Sequence, residues 1–262
     1  MMKMRKHLLF AYSMMIVAFL YLPIAVLILY SFNDSRINAT WEGFTLKWYQ
    51  SLFQNDRVLE ALYNSLTVAV ITTVVTTILA ALLALALHRY KFRFGKVFNG
   101  LIYLPILIPE ILMGLSMLVM FSQFEINMGK TTLIIAHITF CLSFAIVIIM
   151  ARLSGMGQDL EEAAEDLGAS PWQTFRHVTL PIISPGLIAA ALMTFTMSLD
   201  DFVISFFVSG PNSTTLPLYI YGMVKRGVSP EINALSTILI LAIIVMIVIA
   251  ESLAFKGTKR SQ

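Results

Sequence analysis

Charge is what this sequence has least of. Only 13% of its 262 residues are Asp, Glu, Lys or Arg, while 58% are hydrophobic, against roughly 25% charged in an ordinary soluble domain. That mixture cannot be wrapped around one water-facing core, and no segment is long and polar enough to be a soluble domain. The net charge of +3 is divided among short segments, which gives no basis for a nucleic-acid partner. One cysteine, Cys141, excludes an intramolecular disulfide and reads as a small packed hydrophobe. There is no G-x-x-x-x-G-K-[S/T] run to cradle a nucleotide, no H-E-x-x-H, and no His/Cys cluster at metal-ligand spacing. His7, His88, His137 and His177 are scattered, and only His137 lies in an apolar run, where a neutral imidazole bonded to a neighbouring helix is the expected role. The chain therefore offers no catalytic, cofactor or metal site of its own.

What is present is a series of long apolar runs. Residues 8–30 follow Lys3, Arg5 and Lys6; the run is long enough to cross about 30 Å of hydrocarbon and lacks a cleavage pattern, so it reads as a retained first span. Residues 64–87 form the second, with Ala80, Ala81, Ala84 and Ala86 permitting close helix approach. The third, 97–124, is interrupted by Pro105, Pro109 and Glu110, and the helix is expected to bend or open near Pro109. Residues 131–151 form the fourth, 182–199 the fifth, broken by Asp200-Asp201 before 202–208, and 232–250 the sixth. The expected fold is all-α, with six transmembrane helices in one domain over 1–262.

Between the first two spans, residues 31–63 carry Trp41, Phe44, Trp48 and Tyr49, a spacing that suits an interfacial helix at the lipid headgroups, or else a plain exposed loop. The stretch 88–96, HRYKFRFGK, is short and basic. Placing it and both termini in the cytoplasm puts twelve of the 18 Lys and Arg inside and six outside, in accord with the positive-inside rule. The segment 152–181 then also faces the cytoplasm.

That last segment is the least membrane-like part of the chain. Asp159, Glu161, Glu162, Glu165 and Asp166 precede Gly168, Ser170-Pro171 offers a helix start, and Leu180-Pro181 a stop. Two short helices joined at a glycine elbow are expected. Glu162 and Asp166, four apart, repel by a few tenths of a kcal/mol. The segment is either a solvated loop or a docking element gripped by another protein.

Glu162-Ala163-Ala164, then Gly168, then Val178, Leu180 and Pro181 resemble the EAA loop of ABC-importer permease subunits, with Val178 standing where that pattern has Ile. The resemblance implies a type I importer permease (MetI-like) fold in a bacterial inner membrane. It also implies coupling to a cytoplasmic ATPase through Glu162, Ala163, Ala164, Gly168, Leu180 and Pro181. Further runs, among them SLDDFV from Ser198 and YGMVKRGVSPEINA from Tyr221, are similar to permeases of bacterial spermidine/putrescine importers. Such a machine would contain this chain, a second homologous permease, two ATPase subunits that hold the ATP and Mg2+, and an extracytoplasmic polyamine-binding protein.

Three carboxylates interrupt apolar runs: Glu110, Asp200 and Asp201. A charge at the centre of a span costs about 2.5–3.5 kcal/mol on insertion scales, so such groups face a cavity or a partner, or else cap helices at a boundary. As a pathway lining they favour cations and repel anions. A linear polyamine could use them together with the aromatic faces of Tyr219, Tyr221 and Trp41. Adjacent residues on a helix point about 100° apart, so at most one of the two aspartates faces a channel squarely. Other cargoes of EAA-loop permeases, such as thiamine, ferric iron or an opine, remain alternatives, as do an ion-coupled carrier or channel and a membrane assembly factor.

Overall fold

The structure, a computed structural model, describes residues 2–35, 40–90, 93, 95–155, 157, 159–226 and 230–258. Regular structure there is helical throughout: α1 (Met2–Tyr30), α2 (Lys47–Gln54), α3 (Asp56–Arg89), α4 (Gly95–Leu107), α5 (Glu110–Gln123), α6 (Lys130–Leu153), α7 (Asp159–Asp166), α8 (Pro171–Thr174), a π-helical turn (Phe175–Thr179), α9 (Leu180–Asp200), α10 (Val203–Val208), α11 (Leu216–Arg226) and α12 (Pro230–Thr258). Four helical stretches, Leu9–Tyr30, Asp56–Arg89, Lys130–Leu153 and Pro171–Asp200, are long and apolar enough to cross a membrane. The bent pair α4–α5 makes a fifth, and Pro230–Val245 is a shorter apolar stretch within α12. The bend, 105°, falls where Pro109 was expected to open the third span. Pro109 has no N–H to continue α4, and its carbonyl starts α5 by accepting from Leu112, 2.9 Å away.

The chain divides into two compact units. The first comprises Met1–Leu59 with Ile220–Gln262, in which α12 packs on α1 and α2. The segment before α2 is fastened by its own polar groups. Ser31 and Tyr49 share a hydrogen bond of 2.7 Å, Trp48 Nε1 donates to the Asn33 carbonyl at 2.7 Å, and Lys47 pairs with Asp34. Ser51 Oγ donates to Glu231 at the start of α12, 2.6 Å away. A short helix thus occupies the segment where an interfacial one was expected. The next helix, α3, begins at Asp56, eight residues before the apolar run.

The second unit, Glu60–Tyr219, is built on α6 packed along α9. One cluster of buried side chains joins Ala80 and Ala84 of α3 to Ile146, Ile149 and Leu153 of α6 and Ile183 and Ala190 of α9. Both alanines are fully buried, and with lipid on the outside close van der Waals packing at such small residues holds helices together. A Cβ added at Gly186 would lie 3.0 Å from Arg152 Cβ, so the end of α6 and the start of α9 touch closely. A second cluster joins Val68 of α3, Met113, Met117 and Phe121 of α5, Leu133, Ala136 and Phe140 of α6, and Ile204 and Val208 of α10. Here α10 lies against α5 at Gly114, where a Cβ would sit 2.7 Å from the Phe207 ring.

Candidate functional site

The acidic segment folds as two short helices about a glycine, and its hydrogen bonds say why. Helix α7 ends in a Schellman motif: Ala169 N–H donates to the Ala164 carbonyl at 3.1 Å and Gly168 N–H to the Glu165 carbonyl at 2.8 Å. Gly168 has φ +87°, the left-handed region, while a Cβ there would meet nothing within 4 Å. The glycine is needed for its own backbone and not for lack of room. Ser170 then caps α8: its Oγ accepts from Gln173 N–H, its N–H donates to Gln173 Oε1 at 2.8 Å, and Pro171 takes the first helical position.

Leu180-Pro181 is not the helix stop that the sequence suggested. Residues Pro171–Asp200 run on as one helical span, because the turn Phe175–Thr179 widens to π geometry, with Leu180 N–H donating to the Phe175 carbonyl five residues back. The wide turn admits the proline ring near the start of α9, where its missing N–H removes no α-helical hydrogen bond. Leu180 and Pro181 therefore connect the short helices rigidly to the fifth span.

No residue of α7 is buried. Glu162, Glu165 and Asp166 are exposed, as are Leu160, Leu167 and Trp172, with Leu167 90% exposed. The element displays carboxylates and three large apolar side chains together. Among the described residues, the α7 carboxylate that finds a partner within the chain is Glu161, the residue before the motif. Arg89 Nη2, at the end of α3, donates to Glu161 Oε1 at 2.7 Å, and the hydroxyl of Thr179 donates to the same oxygen. Burial would raise the Glu161 carboxyl, but the hydrogen bonds from Arg89 and Thr179 and the charges of Arg89 and His88 outweigh it and hold its pKa below the ordinary carboxylate value. The sequence signal was slight: a basic run after the second span and five acids after the fourth, with nothing to say which pair meets.

The two aspartates part company. Helix α9 ends at Asp200, which is exposed. The Asp201 side chain is only 4% exposed and turns onto α10, where Oδ2 accepts from Ser205 N–H at 2.7 Å and Oδ1 from Ile204 N–H at 3.3 Å. The same Oδ2 lies 3.3 Å from His137 Nε2. His137, 1% exposed, shares further hydrogen bonds with Ser198 Oγ at 2.7 Å and Ser205 Oγ at 3.0 Å. The imidazole is thus bonded to neighbouring helices, as expected, and ties α6 to both sides of the α9–α10 break. Thr132 fastens the other end of α10 by donating to the Val208 carbonyl at 2.8 Å.

Glu110 is the first residue of α5, exposed just after the bend. Tyr219 is half-buried in α11 within the second unit. Tyr221 belongs to the first unit, and its ring already lies under Lys225 Nζ, 4.7 Å from the centroid. Trp41 is half exposed. Among the described residues no three His, Cys, Asp or Glu side chains could hold a metal ion together.

Residues 74–255 match the family described as binding-protein-dependent transport system inner membrane component. The chain is 45% identical over 245 residues to the spermidine/putrescine transport system permease protein PotC of Escherichia coli K12, covering 93% of this chain and 92% of that one. It is 39% identical over 249 residues to the putrescine transport system permease protein PotI of the same organism, covering 92% and 89%. Among solved structures it is similar to a bacterial alginate ABC transporter crystallised with an alginate pentasaccharide-bound periplasmic protein, with TM-score 0.72, 19% identity, and coverage of 94% of this chain and 92% of that one. At that identity the likeness speaks for the fold.

Proposed function

We infer the working of this chain from one premise: it belongs to the binding-protein-dependent transport system inner membrane component family. It is a permease subunit of an ABC importer and supplies a membrane route rather than a catalytic centre. The cargo we propose is a polyamine, spermidine or putrescine. The ATP and Mg2+ would be held by two cytoplasmic ATPase subunits, a second homologous permease would complete the membrane part, and an extracytoplasmic polyamine-binding protein would deliver the cargo. Both termini and the 152–181 loop would face the cytoplasm.

The observation that carries this reading is the helix–elbow–helix element, anchored at both ends to α6 and α9 and displaying Glu162 with Leu167 and Trp172 uncovered. Helix α7 has no buried residue of its own, and the element is held in shape by its Schellman motif and capping box, so a partner that grips it moves a preformed body. Ala163 and Ala164 keep the helix slim on the motif side, and Ala164 supplies the carbonyl that closes the elbow. Leu180-Pro181 and the π turn pass the displacement into α9. Tilting α9 against α6 shifts the α9–α10 break, and with it the exposed Asp200.

Polyamine as cargo is supported by the relatives' names and by charge. Asp200 and Glu110 offer separated anionic points beside apolar helices, suited to amines spaced along methylene chains. Asp201, engaged with His137 and α10, would set the position of Asp200 and meet the cargo only if those bonds opened. Tyr219, in the same unit as these carboxylates, would supply an aromatic face. The test is uptake of labelled spermidine and putrescine by the complete complex in proteoliposomes, with thiamine, ferric iron and an opine as competitors. ATP-dependent polyamine uptake is expected; efficient competition by one of the others, or uptake without ATP hydrolysis, would overturn it.

A further inference from the structure

We propose that Glu161 is a positioning residue that yokes the inner end of α3 to the coupling element, so that α7, α3 and the start of α9 move as one body during transport. The proposal rests on the reading above, in which a partner displaces α7. Chain continuity links α7 only to α6 and α9. In sequence Arg89, at the end of α3, lies 72 residues from Glu161, and α7 packs chiefly on α8 and the π turn. What joins it to α3 is a closed set of three side chains. Arg89 Nη2 donates to Glu161 Oε1 at 2.7 Å and lies 3.4 Å from Thr179 Oγ1, and Thr179, itself fully buried at the end of the π turn, donates to Glu161. One carboxylate oxygen thus receives donors from two different spans.

The geometry favours a mechanical role over a merely solvated ion pair. The Glu161 side chain is 16% exposed although Asp159, Glu162, Glu165 and Asp166 of the same helix are all exposed, and the Arg89 side chain is 35% exposed. Hydrogen bonds to charged partners are the strong ones, and Thr179 keeps the carboxylate from rotating away from Arg89. Helix α3 is in turn packed on α6 and α9 through Ala80 and Ala84, so motion delivered at Arg89 reaches the membrane core by a second path, independent of the α6 and α9 backbones.

The test uses the complete reconstituted complex with spin labels at A86C on α3 and E165C on α7, in the wild-type background and with E161A. In the wild type the interlabel distance should stay constant between nucleotide-free and nucleotide-trapped states; with E161A it should change. Uptake per ATP hydrolysed should fall about tenfold in E161A, the loss expected for one charge-assisted hydrogen bond, and the exchange R89E with E161R should restore part of it where either change alone does not. A distance that varies as much in the wild type as in E161A, or an unchanged ratio of uptake to hydrolysis, would overturn the yoke. Failure of the wild-type complex to couple uptake to hydrolysis would instead overturn the functional reading on which it rests.

Discussion

The Ser184 hydroxyl donates to the Pro181 carbonyl at 2.9 Å, the acceptor that Pro185, four residues on, leaves without a backbone donor. A side chain has taken over a bond that the helix cannot make, and this is why α9 carries two prolines in its first turns without breaking.

Replacing that hydroxyl tests the substitution directly. Ser184→Ala should lower the stability of the detergent-solubilised protein by about 1 kcal/mol, read as a lower thermal midpoint, while Ser184→Thr should retain most of it.

Gly168 should tolerate asparagine far better than valine. Space around it is open, so the cost is the left-handed backbone alone, about 1–2 kcal/mol for an ordinary side chain. G168V should reduce uptake and its coupling to ATP hydrolysis while leaving polyamine affinity of the binding protein intact; G168N should transport near the wild-type rate. Equal behaviour of the two variants would count against the elbow.

Asp200 and Asp201 should separate in experiment. D201A removes the acceptor at the start of α10 and the carboxylate beside His137, leaving the imidazole its two serine partners, at a cost of about 3 kcal/mol, visible as loss of folded protein during purification. D200N should leave folding alone and slow polyamine uptake. The opposite pattern would reverse the assignment of the two residues.

The Glu161 tie fixes a pH response. Its folded pKa lies below its unfolded one, so the stability it contributes is fully present above the unfolded value, about 4.3, and is lost as pH falls through the folded value. The difference in thermal midpoint between wild type and E161Q should be constant from neutral pH down to about pH 5 and shrink with further acid. A difference that grew toward acid would contradict the depressed pKa.

Gly210 offers a steric test. A Cβ there would stand 2.0 Å from the Met128 carbonyl oxygen, so G210A should force apart the α5–α6 turn and the end of α10. A thermal midpoint within experimental error of wild type would show that this contact yields freely.

The features legible in the sequence were those written in neighbouring residues. The Ser170-Pro171 cap, the Gly168 elbow and the break at Pro109 each follow from a residue whose own backbone chemistry admits few conformations. Leu180-Pro181 misled for the same reason: proline normally marks a boundary, and the wide turn that absorbs it has no compositional signature. The partnership of Arg89 with Glu161 depends on which faces two distant helices present, and periodicity carries no information about that. The motif drew attention to Glu162, whereas the acid bound within the fold is the one just before it. The paired aspartates do diverge, Asp200 exposed and the Asp201 side chain buried, but the angle between adjacent helical residues is not the whole reason. The helix ends between them, so Asp201 is turned by a new chain direction as well as by the helical angle.

The π turn at Phe175–Thr179 holds one residue more than an α-helical path of the same rise would need. Deleting a single residue there would let the span close into ordinary α geometry with the helices on either side still in phase, whereas the same deletion within α9 would rotate everything on its amino-terminal side by about 100° about the axis. Trp172 and the carboxylates of α7 would keep their compass bearing in the first case and lose it in the second. The surplus residue makes room for the Pro181 ring without turning the element that the span carries.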